Sequence, residues 1–272
     1  MMELSAEDAA YSVLRDLSYS DPISPNQADQ KLDLYTIDNL EKRAVIIYVH
    51  GGGWAFGDKK DVYGKPGFFI PHNTAFISMN YRLRWDYTVY DQVSDVVSVI
   101  MWVRTHANEY GLDPNRIILM GHASGAHLVS LVGTDDRYLK AGGLSFRSLV
   151  VIVSIDNDVF DVPRHIEETS SPVEQIHLSL IFGEDPEVWR VASPATYVKK
   201  DKNIPSFALL YSISNDSTRI QSKAFAKLLA AADVEAILVP DSRQSSESID
   251  ESLGTPGDQT SLALITFIRA KI

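Results

Sequence analysis

The stretch MGHASGAHLVSLVG, residues 120–133, decides the fold. An apolar run precedes it and leucines with helical spacing follow, so the pattern predicts a strand, a tight turn and a helix. Gly121 and Gly125 flank the turn like the glycines of G-x-S-x-G, where a strained central serine presents its hydroxyl at the end of a sheet. The central residue here is Ala123, which has no hydroxyl. The sequence therefore predicts the turn without its usual nucleophile.

Ser124 follows this position, which raises the alternative of a turn displaced by one residue. A displaced turn would have His122 and Ala126 at its flanks. The imidazole of His122 would then occupy space that the turn leaves only for a hydrogen atom. We therefore expect Ser124 to contribute its backbone N–H group and not its hydroxyl.

A second glycine cluster, HGGGW at residues 50–54, directly follows the apolar run AVIIYV. Consecutive glycines after a buried strand let the backbone approach a ligand and direct N–H groups at one point. Such groups stabilise the negative oxygen that forms during acyl transfer. We expect Gly52 and Gly53 to form this oxyanion hole with Ser124, and a glycine-rich turn without a ligand is the alternative.

The composition of the whole chain excludes several classes of protein. With 272 residues, 45% of them apolar, the chain can bury a large core, and its lack of cysteine excludes disulfides and a thiol nucleophile. A net charge of -11 without basic clusters argues against nucleic acid as a partner. No apolar run is long enough to span a membrane. The start, MMELSAEDAAYSVLRDL, has helical spacing and lacks the basic patch of a signal peptide, so we expect a soluble, cytoplasmic protein.

Strand-like apolar runs alternate with helical patterns, which predicts crossover connections and a mainly parallel sheet in an α/β fold. The runs are KLDLYTI (31–37), AVIIYVH (44–50), TAFISMNY (74–81), RIILMG (116–121), LVVIVSI (149–155), SFALLYS (206–212) and VEAILVP (234–240). Helices are expected over 217–233 and 258–272. Residues 156–191 interrupt the alternation and are too long for a simple connection, so we expect a small inserted cap or lid.

Taken together, these motifs resemble those of the α/β-hydrolase superfamily, in particular carboxylesterases and lipases related to hormone-sensitive lipase and to kynurenine formamidase-like esterases. The resemblance covers nearly the whole chain, as a single domain over 1–272. It rests on HGGGWAFGDK, MNYRL, LDPNRIILMGHASGAHL, FDVPRHI, FGEDPEVWRVASP and SIDESLGTPGD. It implies an α/β-hydrolase fold with about eight strands flanked by helices, and leaves open whether the first pair is antiparallel. It also implies a Ser–His–Asp triad and carboxylic esters as substrates, without metal or cofactor.

The triad carries over onto this chain incompletely. The nucleophile position of the family corresponds to Ala123, and the acid position to Asp216 with Asn215 as an alternative. The histidine position, seven residues before the leucine of SLGTPGD, corresponds to Ser246. Since the last histidine of the chain is His177, no small shift of register supplies the base. Two of the three triad members are therefore missing.

Other departures from the family pattern fall close to the expected pocket. Relatives usually have proline where Trp85 stands, and Arg84 precedes it. The remaining pocket candidates are Trp54, His122 and Phe160, although aromatic residues in such loops also serve simply as packing. We find no histidine spacing typical of a zinc site. The clustering indicates a remodelled pocket, which both natural divergence and engineering produce.

Three hypotheses about function follow. The first is an esterase-family protein with an intact oxyanion hole and disabled hydrolysis. The second is a remodelled pocket that performs other chemistry, with Ser124, Ser246, His122 or Arg84 in new roles. The third is a non-catalytic binder of a small ester or related apolar ligand.

Overall fold

The sheet forms the centre of the molecule. The computed structural model describes residues 11–20, 30–37, 41–84, 86–243 and 245–272. Within these ranges eight strands form one sheet in the order β1-β2-β4-β3-β5-β6-β7-β8. The strands are β1 Ser12–Ser18, β2 Lys31–Thr36, β3 Arg43–Val49, β4 Thr74–Met79, β5 Leu112–His122, β6 Leu149–Ile155, β7 Ser206–Ser212 and β8 Ala236–Asp241.

The sheet is parallel except at one edge. The strands from β4 through β3, β5, β6 and β7 to β8 pair in parallel, whereas β2 pairs antiparallel with both β1 and β4. The prediction of about eight mainly parallel strands is confirmed, and the first pair is antiparallel. Because parallel strands end at one edge, the segments after β3, β5, β7 and β8 lie at the same end of the sheet.

Strand β1 corrects the sequence-based interpretation of the start of the chain. Helical spacing was expected up to Leu17, but residues 12–18 are a strand, and residues 1–10 lie outside the described ranges. The register shifts between Leu14 and Leu17, where Asp16 has φ 58°. This bulge reverses the alternation, so that Val13 packs on one face of the sheet and Leu17 on the other. Because of the bulge, the sequence of β1 lacks the regular alternation of apolar and polar residues that identifies a strand.

Helices cover both faces of the sheet. They are α1 Lys65–Phe69, α2 Val89–His106, α3 Ser124–Thr134, α4 Asp136–Ala141, α5 Val162–Glu168, α6 Pro172–Phe182, α7 Pro186–Val191, α8 Asp216–Ala231, α9 Ser246–Ser252 and α10 Gln259–Arg269. Alternate residues of β3 face two separate cores. The core that contains Val45 and Ile47 includes side chains of α2, α3 and α8, and the core that contains Ile46 and Tyr48 includes side chains of α1, α9 and α10.

Two further expectations concern segments between these elements. The interruption predicted over 156–191 contains the three helices α5, α6 and α7, which stand between β6 and β7. In the described part of the chain, no helix combines the length and the hydropathy needed to cross a bilayer.

Candidate functional site

The turn between β5 and α3 has its strained residue at Ala123. Ala123 has φ 45° and ψ -113°, and Ser124 is already the first residue of α3. A Cβ at Gly121 would lie 2.4 Å from the carbonyl oxygen of Gly125, and a Cβ at Gly125 would lie 2.2 Å from that of Val49. Only glycine fits either flank, so the turn is centred on Ala123 and is not displaced onto Ser124.

The glycine loop after β3 runs beside this turn. Gly52 has φ 114° and Gly53 has φ 60°, and a Cβ at Gly52 would lie 2.3 Å from the carbonyl oxygen of Phe56. Across residues 11–20, 30–37, 41–84, 86–243 and 245–272, the amide groups of Gly52, Gly53 and Ser124 donate to no backbone carbonyl outside their own element. Within these ranges the three amides therefore have no backbone acceptor beyond their own element. His50 has a structural place, because its ring stacks on Tyr81 with 4.5 Å between centroids and burial lowers its pKa.

Ser246, at the position predicted for the family's histidine, contacts His122. The hydroxyl oxygen of Ser246 lies 2.8 Å from Nε2 of His122. On the other side of the ring, Nδ1 lies 4.0 Å from Oδ2 of Asp250, one helical turn after Ser246 in α9. The ring is pressed against the backbone, since a Cβ at Gly51 would lie 2.7 Å from Nδ1. A serine, an imidazole and a carboxylate are thus aligned at the end of the sheet.

Beneath His122, Asp250 belongs to a buried charged network. The Tyr48 hydroxyl donates to both oxygens of Asp250 at 2.8 Å, and Nζ of Lys65 lies 3.0 Å from Oδ1. Lys65 also donates to the backbone carbonyl of Asp250 at 2.8 Å. Burial lowers the pKa of Lys65 and raises the pKa of Tyr48. The network fixes the orientation of α9 with every charge paired.

A small cavity opens beside these residues. Its volume is about 190 Å³. The glycine loop and His122 form one part of its wall, and three carboxylates, those of Asp61, Glu247 and Asp250, form another. Since a drug-sized ligand needs roughly 300–1,000 Å³, this cavity suits a short chemical group.

Asp216, the predicted acid of the triad, lies elsewhere in the structure. It is the first residue of α8, its side chain is 79% exposed, and it forms an ion pair with Arg219. The alternative, Asn215, caps the same helix by accepting hydrogen bonds from the amides of Ser217 and Thr218. No contact joins either side chain to Ser246 or His122 in the described ranges.

Two of the aromatic pocket candidates, Phe160 and Trp54, are buried among other side chains. Phe160 is only 1% exposed and stacks on Phe225 with 4.2 Å between centroids. Trp54 is buried, and its indole N–H donates to Nδ1 of His127 at 3.3 Å. Both side chains are thus packed against other side chains. Trp85 lies outside the described residues.

Helix α6 reaches the glycine loop through two residues that connect the inserted segment to the site. A Cβ at Gly53 would lie 3.0 Å from Nε2 of His177, whose ring also faces Trp54 at 6.0 Å between centroids. Arg84 donates from its guanidinium to the carbonyl oxygen of Leu180 at 2.5 Å. The pocket candidate Arg84 thus anchors α6, and α6 places an imidazole beside Gly53.

A group of metal-capable side chains ties the inserted segment to β6. Donor atoms of Asp158, His165 and Glu174 lie within 4.8 Å of one another. His165 Nε2 lies 2.9 Å from Glu174, which also accepts a hydrogen bond from Thr169 at 2.5 Å. These contacts hold α5 and α6 together at the loop that follows β6. The sequence spacing of the three residues gave no indication of the group.

Sequence reasoning missed the residues that complete the surroundings of His122. Asp250 has one available signal, its spacing of four residues from Ser246 within one helix. Lys65 and His177 have none, because α1 and α6 are brought to the site only by the fold. Lysine is almost never fully buried unless it is paired, so the burial of Lys65 could be recognised only from its contacts.

Comparisons with known proteins identify the family. The sequence profile of the BD-FAE family matches residues 32–229. The chain belongs to the BD-FAE family. This BD-FAE protein is 26% identical over 226 residues to esterase LipQ of Mycobacterium tuberculosis, a match that covers 79% of this chain and 53% of the relative. It is 30% identical over 232 residues to the probable isoprenylcysteine alpha-carbonyl methylesterase ICMEL2 of Arabidopsis thaliana, with 77% and 52% covered. The chain thus spans about half the length of these curated relatives.

Solved structures show the same fold. The BD-FAE protein aligns with inhibited esterase B from Lactobacillus rhamnosis at a TM-score of 0.77 and 20% identity, with 96% of this chain and 87% of that chain covered. It aligns with a truncated carbohydrate esterase from gut microbiota at a TM-score of 0.76 and 21% identity, with 96% of both chains covered. The predicted α/β-hydrolase fold and the resemblance to carboxylesterases are confirmed.

Proposed function

We propose that this BD-FAE protein binds carboxylic esters through the amides of its two glycine turns and hydrolyses them far more slowly than esterases with a complete triad. The observation that carries the proposal is Ala123 at the strained centre of the turn. A methyl group stands where the nucleophile belongs, so no acyl-enzyme forms at this position. The amides of Gly52, Gly53 and Ser124 remain as donors for a carbonyl oxygen.

The residues that would activate a nucleophile support the same proposal. The base position is Ser246, a hydroxyl that cannot accept and return a proton at neutral pH. The acid candidate Asp216 forms an ion pair with Arg219. Even if a hydroxyl were present at residue 123, it would lack the partner that takes its proton.

The inserted segment 156–191 supports ligand binding in our proposal. Through His177 and the Arg84 contact, α6 lies next to the glycine loop, where a cap would cover a bound ligand. Covering excludes water, which strengthens hydrogen bonds from the amides to a carbonyl oxygen. The ligand we propose is a small, uncharged carboxylic ester.

Turnover of p-nitrophenyl acetate and p-nitrophenyl butyrate tests the catalytic half of the proposal. We expect rates no more than about 10³–10⁴-fold above spontaneous hydrolysis, the level that an oxyanion hole and binding alone supply. Turnover at the level of esterases with complete triads would overturn it.

Binding is tested separately with N-methylbutyramide, an amide that resembles a short ester and is not cleaved. We expect the melting temperature to rise with ligand concentration, since a ligand at ten times its Kd adds about 1.4 kcal/mol to the free energy of unfolding. In Gly53→Val the added side chain meets His177, so the shift should disappear. An unchanged melting temperature in the parent protein would contradict ester binding.

The alternative of remodelled chemistry is favoured by one contact. The hydrogen bond between Ser246 and His122 brings a hydroxyl and an imidazole together at the same end of the sheet. These are the groups that the turn itself lacks.

A further inference from the structure

We propose that Ser246 and His122 form a nucleophile–base pair that is displaced from the turn and accepts the acyl group of a short, neutral or cationic ester. The proposal rests on ester binding by the glycine loop, as proposed above. It assigns the slow hydrolysis to a serine that stands where the family has its histidine.

The geometry of the pair meets the requirement for proton transfer. The two heavy atoms are 2.8 Å apart, within the range of about 2.6–3.2 Å for a nucleophile and its base. Ser246 is partly exposed and can therefore meet a substrate, whereas His122 is nearly buried. The contact with Gly51 restricts rotation of the ring.

Asp250 is the positioning residue of the pair. Its Oδ2 lies 4.0 Å from Nδ1 of His122, so its negative charge favours the tautomer with the proton on Nδ1. That tautomer leaves a lone pair on Nε2 for the serine proton. Tyr48 and Lys65 hold the carboxylate in place and share its charge. Asp250 therefore acts on His122 by selecting its tautomer.

The cavity defines the class of substrate. His122, Gly51 and Gly52 line it, and the hydroxyl of Ser246 lies 2.8 Å from the ring of His122, so the proposal places the ester against the base and the glycine loop. Its volume of about 190 Å³ suits an acetyl or butyryl group. Asp61 and Glu247 give the wall negative charge that disfavours an anionic ester.

Water is the only reactant that the reaction needs besides the ester. The oxygen of Ser246 bonds to the carbonyl carbon while its proton passes to Nε2 of His122, and the π pair moves to the carbonyl oxygen. When the C=O bond reforms, the alcohol leaves with the proton from Nε2, and the acyl group remains on Ser246. Water then attacks, gives a proton to Nε2, and releases the acid and Ser246, which receives the proton back.

The experiment uses diethyl p-nitrophenyl phosphate, a neutral reagent that phosphorylates activated serines, with the site of the adduct mapped by peptide fragmentation. We expect one adduct per chain, on Ser246. Ser246→Ala should abolish it, and His122→Gln should slow it by at least about 100-fold, the usual contribution of a general base. Ser242→Ala, an exposed serine of the same loop, is the matched control and should label normally. Ser246→Cys should retain acylation by p-nitrophenyl acetate, because a thiol can replace the hydroxyl.

An adduct on another residue, or no adduct in a protein whose near-UV circular dichroism shows that it is folded, would overturn the proposal. Equal labelling of His122→Gln and the parent would overturn the role of His122. These failures differ from failure of the proposed function, since N-methylbutyramide would still raise the melting temperature. If the amide also fails to bind, ester binding itself is wrong.

Discussion

The two glycine turns and the segments after β7 and β8 meet at one end of the sheet, yet they differ in how their residues are held. The turns, at residues 50–57 and 121–125, include residues with φ angles in the left-handed region, with Ala123 at φ 45°. The later segments contain Asp216 and Ser246, whose side chains contact Arg219 and His122 instead of forming a triad with residue 123.

The difference shows which parts of an active site the fold itself requires. The flanking glycines are packed against carbonyl groups of neighbouring strands and loops, so their replacement would disturb the sheet. A catalytic side chain in a loop has few such neighbours, and its loss costs the fold little. The packing of the turns therefore does not depend on the catalytic side chains that the family motif would place there.

Gly125→Ala should have the largest effect of the changes considered. The added Cβ would lie 2.2 Å from the carbonyl oxygen of Val49, and backbone atoms cannot move aside as a side chain can. We expect the free energy of unfolding to fall by about 4 kcal/mol or more, measured by urea denaturation. Gly67→Ala is the control, since a Cβ at Gly67 meets nothing within 4 Å, and it should not lower stability, because alanine is favoured over glycine within a helix by about 0.5–1 kcal/mol. Equal effects of the two changes would mean that the turn is not fixed by packing.

Asp250→Asn tests whether every residue in the region after β8 can be substituted without loss of stability. The substitution removes the charge that pairs with buried Lys65, and an unpaired buried ammonium is strongly destabilising. We expect a loss of about 3 kcal/mol in the free energy of unfolding by urea denaturation.

Lys65→Met combined with Asp250→Asn separates this cause from others. The double variant removes both charges and should recover at least half of the loss, because an apolar side chain can replace a buried ion pair. If the loss in the double variant equals the sum of the losses in Lys65→Met and Asp250→Asn, the ion pair does not account for the stability of α9.

Restoring the triad residues tests the proposal that residues 123 and 246 limit hydrolysis. Ala123→Ser should raise p-nitrophenyl acetate turnover by less than about 10-fold, because the new hydroxyl has no base. Ala123→Ser with Ser246→His should raise it by about 100-fold, which corresponds to about 2.7 kcal/mol of barrier. Ser246→His alone is the control and should not increase turnover. Full restoration by Ala123→Ser alone would mean that His177 or His122 already serves as its base.

The turn and the parallel sheet could be predicted because short sequence patterns determine them. Glycine spacing around Ala123 follows from local sterics, and buried strands appear as apolar runs. The edge strand β1 was missed, since the bulge at Asp16 breaks its alternation. Local patterns fail where one residue reverses the faces of a strand.

The surroundings of the site depend on contacts between distant parts of the chain. His177 reaches Gly53 only through the docking of α6, and Lys65 reaches Asp250 across 185 positions of sequence. Phe160 and Trp54 could serve as pocket or core residues on sequence grounds, and only their burial distinguishes the two. No pattern in a single sequence contains this information.

His127 provides a smaller and more specific test of the glycine-turn region. Its Nδ1 accepts from the Trp54 indole at 3.3 Å and its Nε2 donates to the carbonyl of Ala192 at 2.8 Å, so the folded protein holds the neutral ring. Burial lowers the pKa from 6.5 to about 4. Between these values the unfolded chain binds the proton and the folded chain does not, so stability is complete above pH 6.5 and falls as the pH decreases. The loss by pH 5 should be about 2 kcal/mol.

His127→Gln isolates this contribution, because glutamine can accept from Trp54 and donate to Ala192 without titrating. The free energy of unfolding is measured by urea denaturation from pH 7 to pH 5. Its decrease over this range should be smaller in the variant than in the parent protein by about 2 kcal/mol. The difference between the two slopes removes the contribution of other groups, including His50, whose pKa burial also lowers. Identical slopes would show that the imidazole is protonated in the folded state. The packing of Trp54 against His127, and with it the fixed course of the glycine loop, would then need a different explanation.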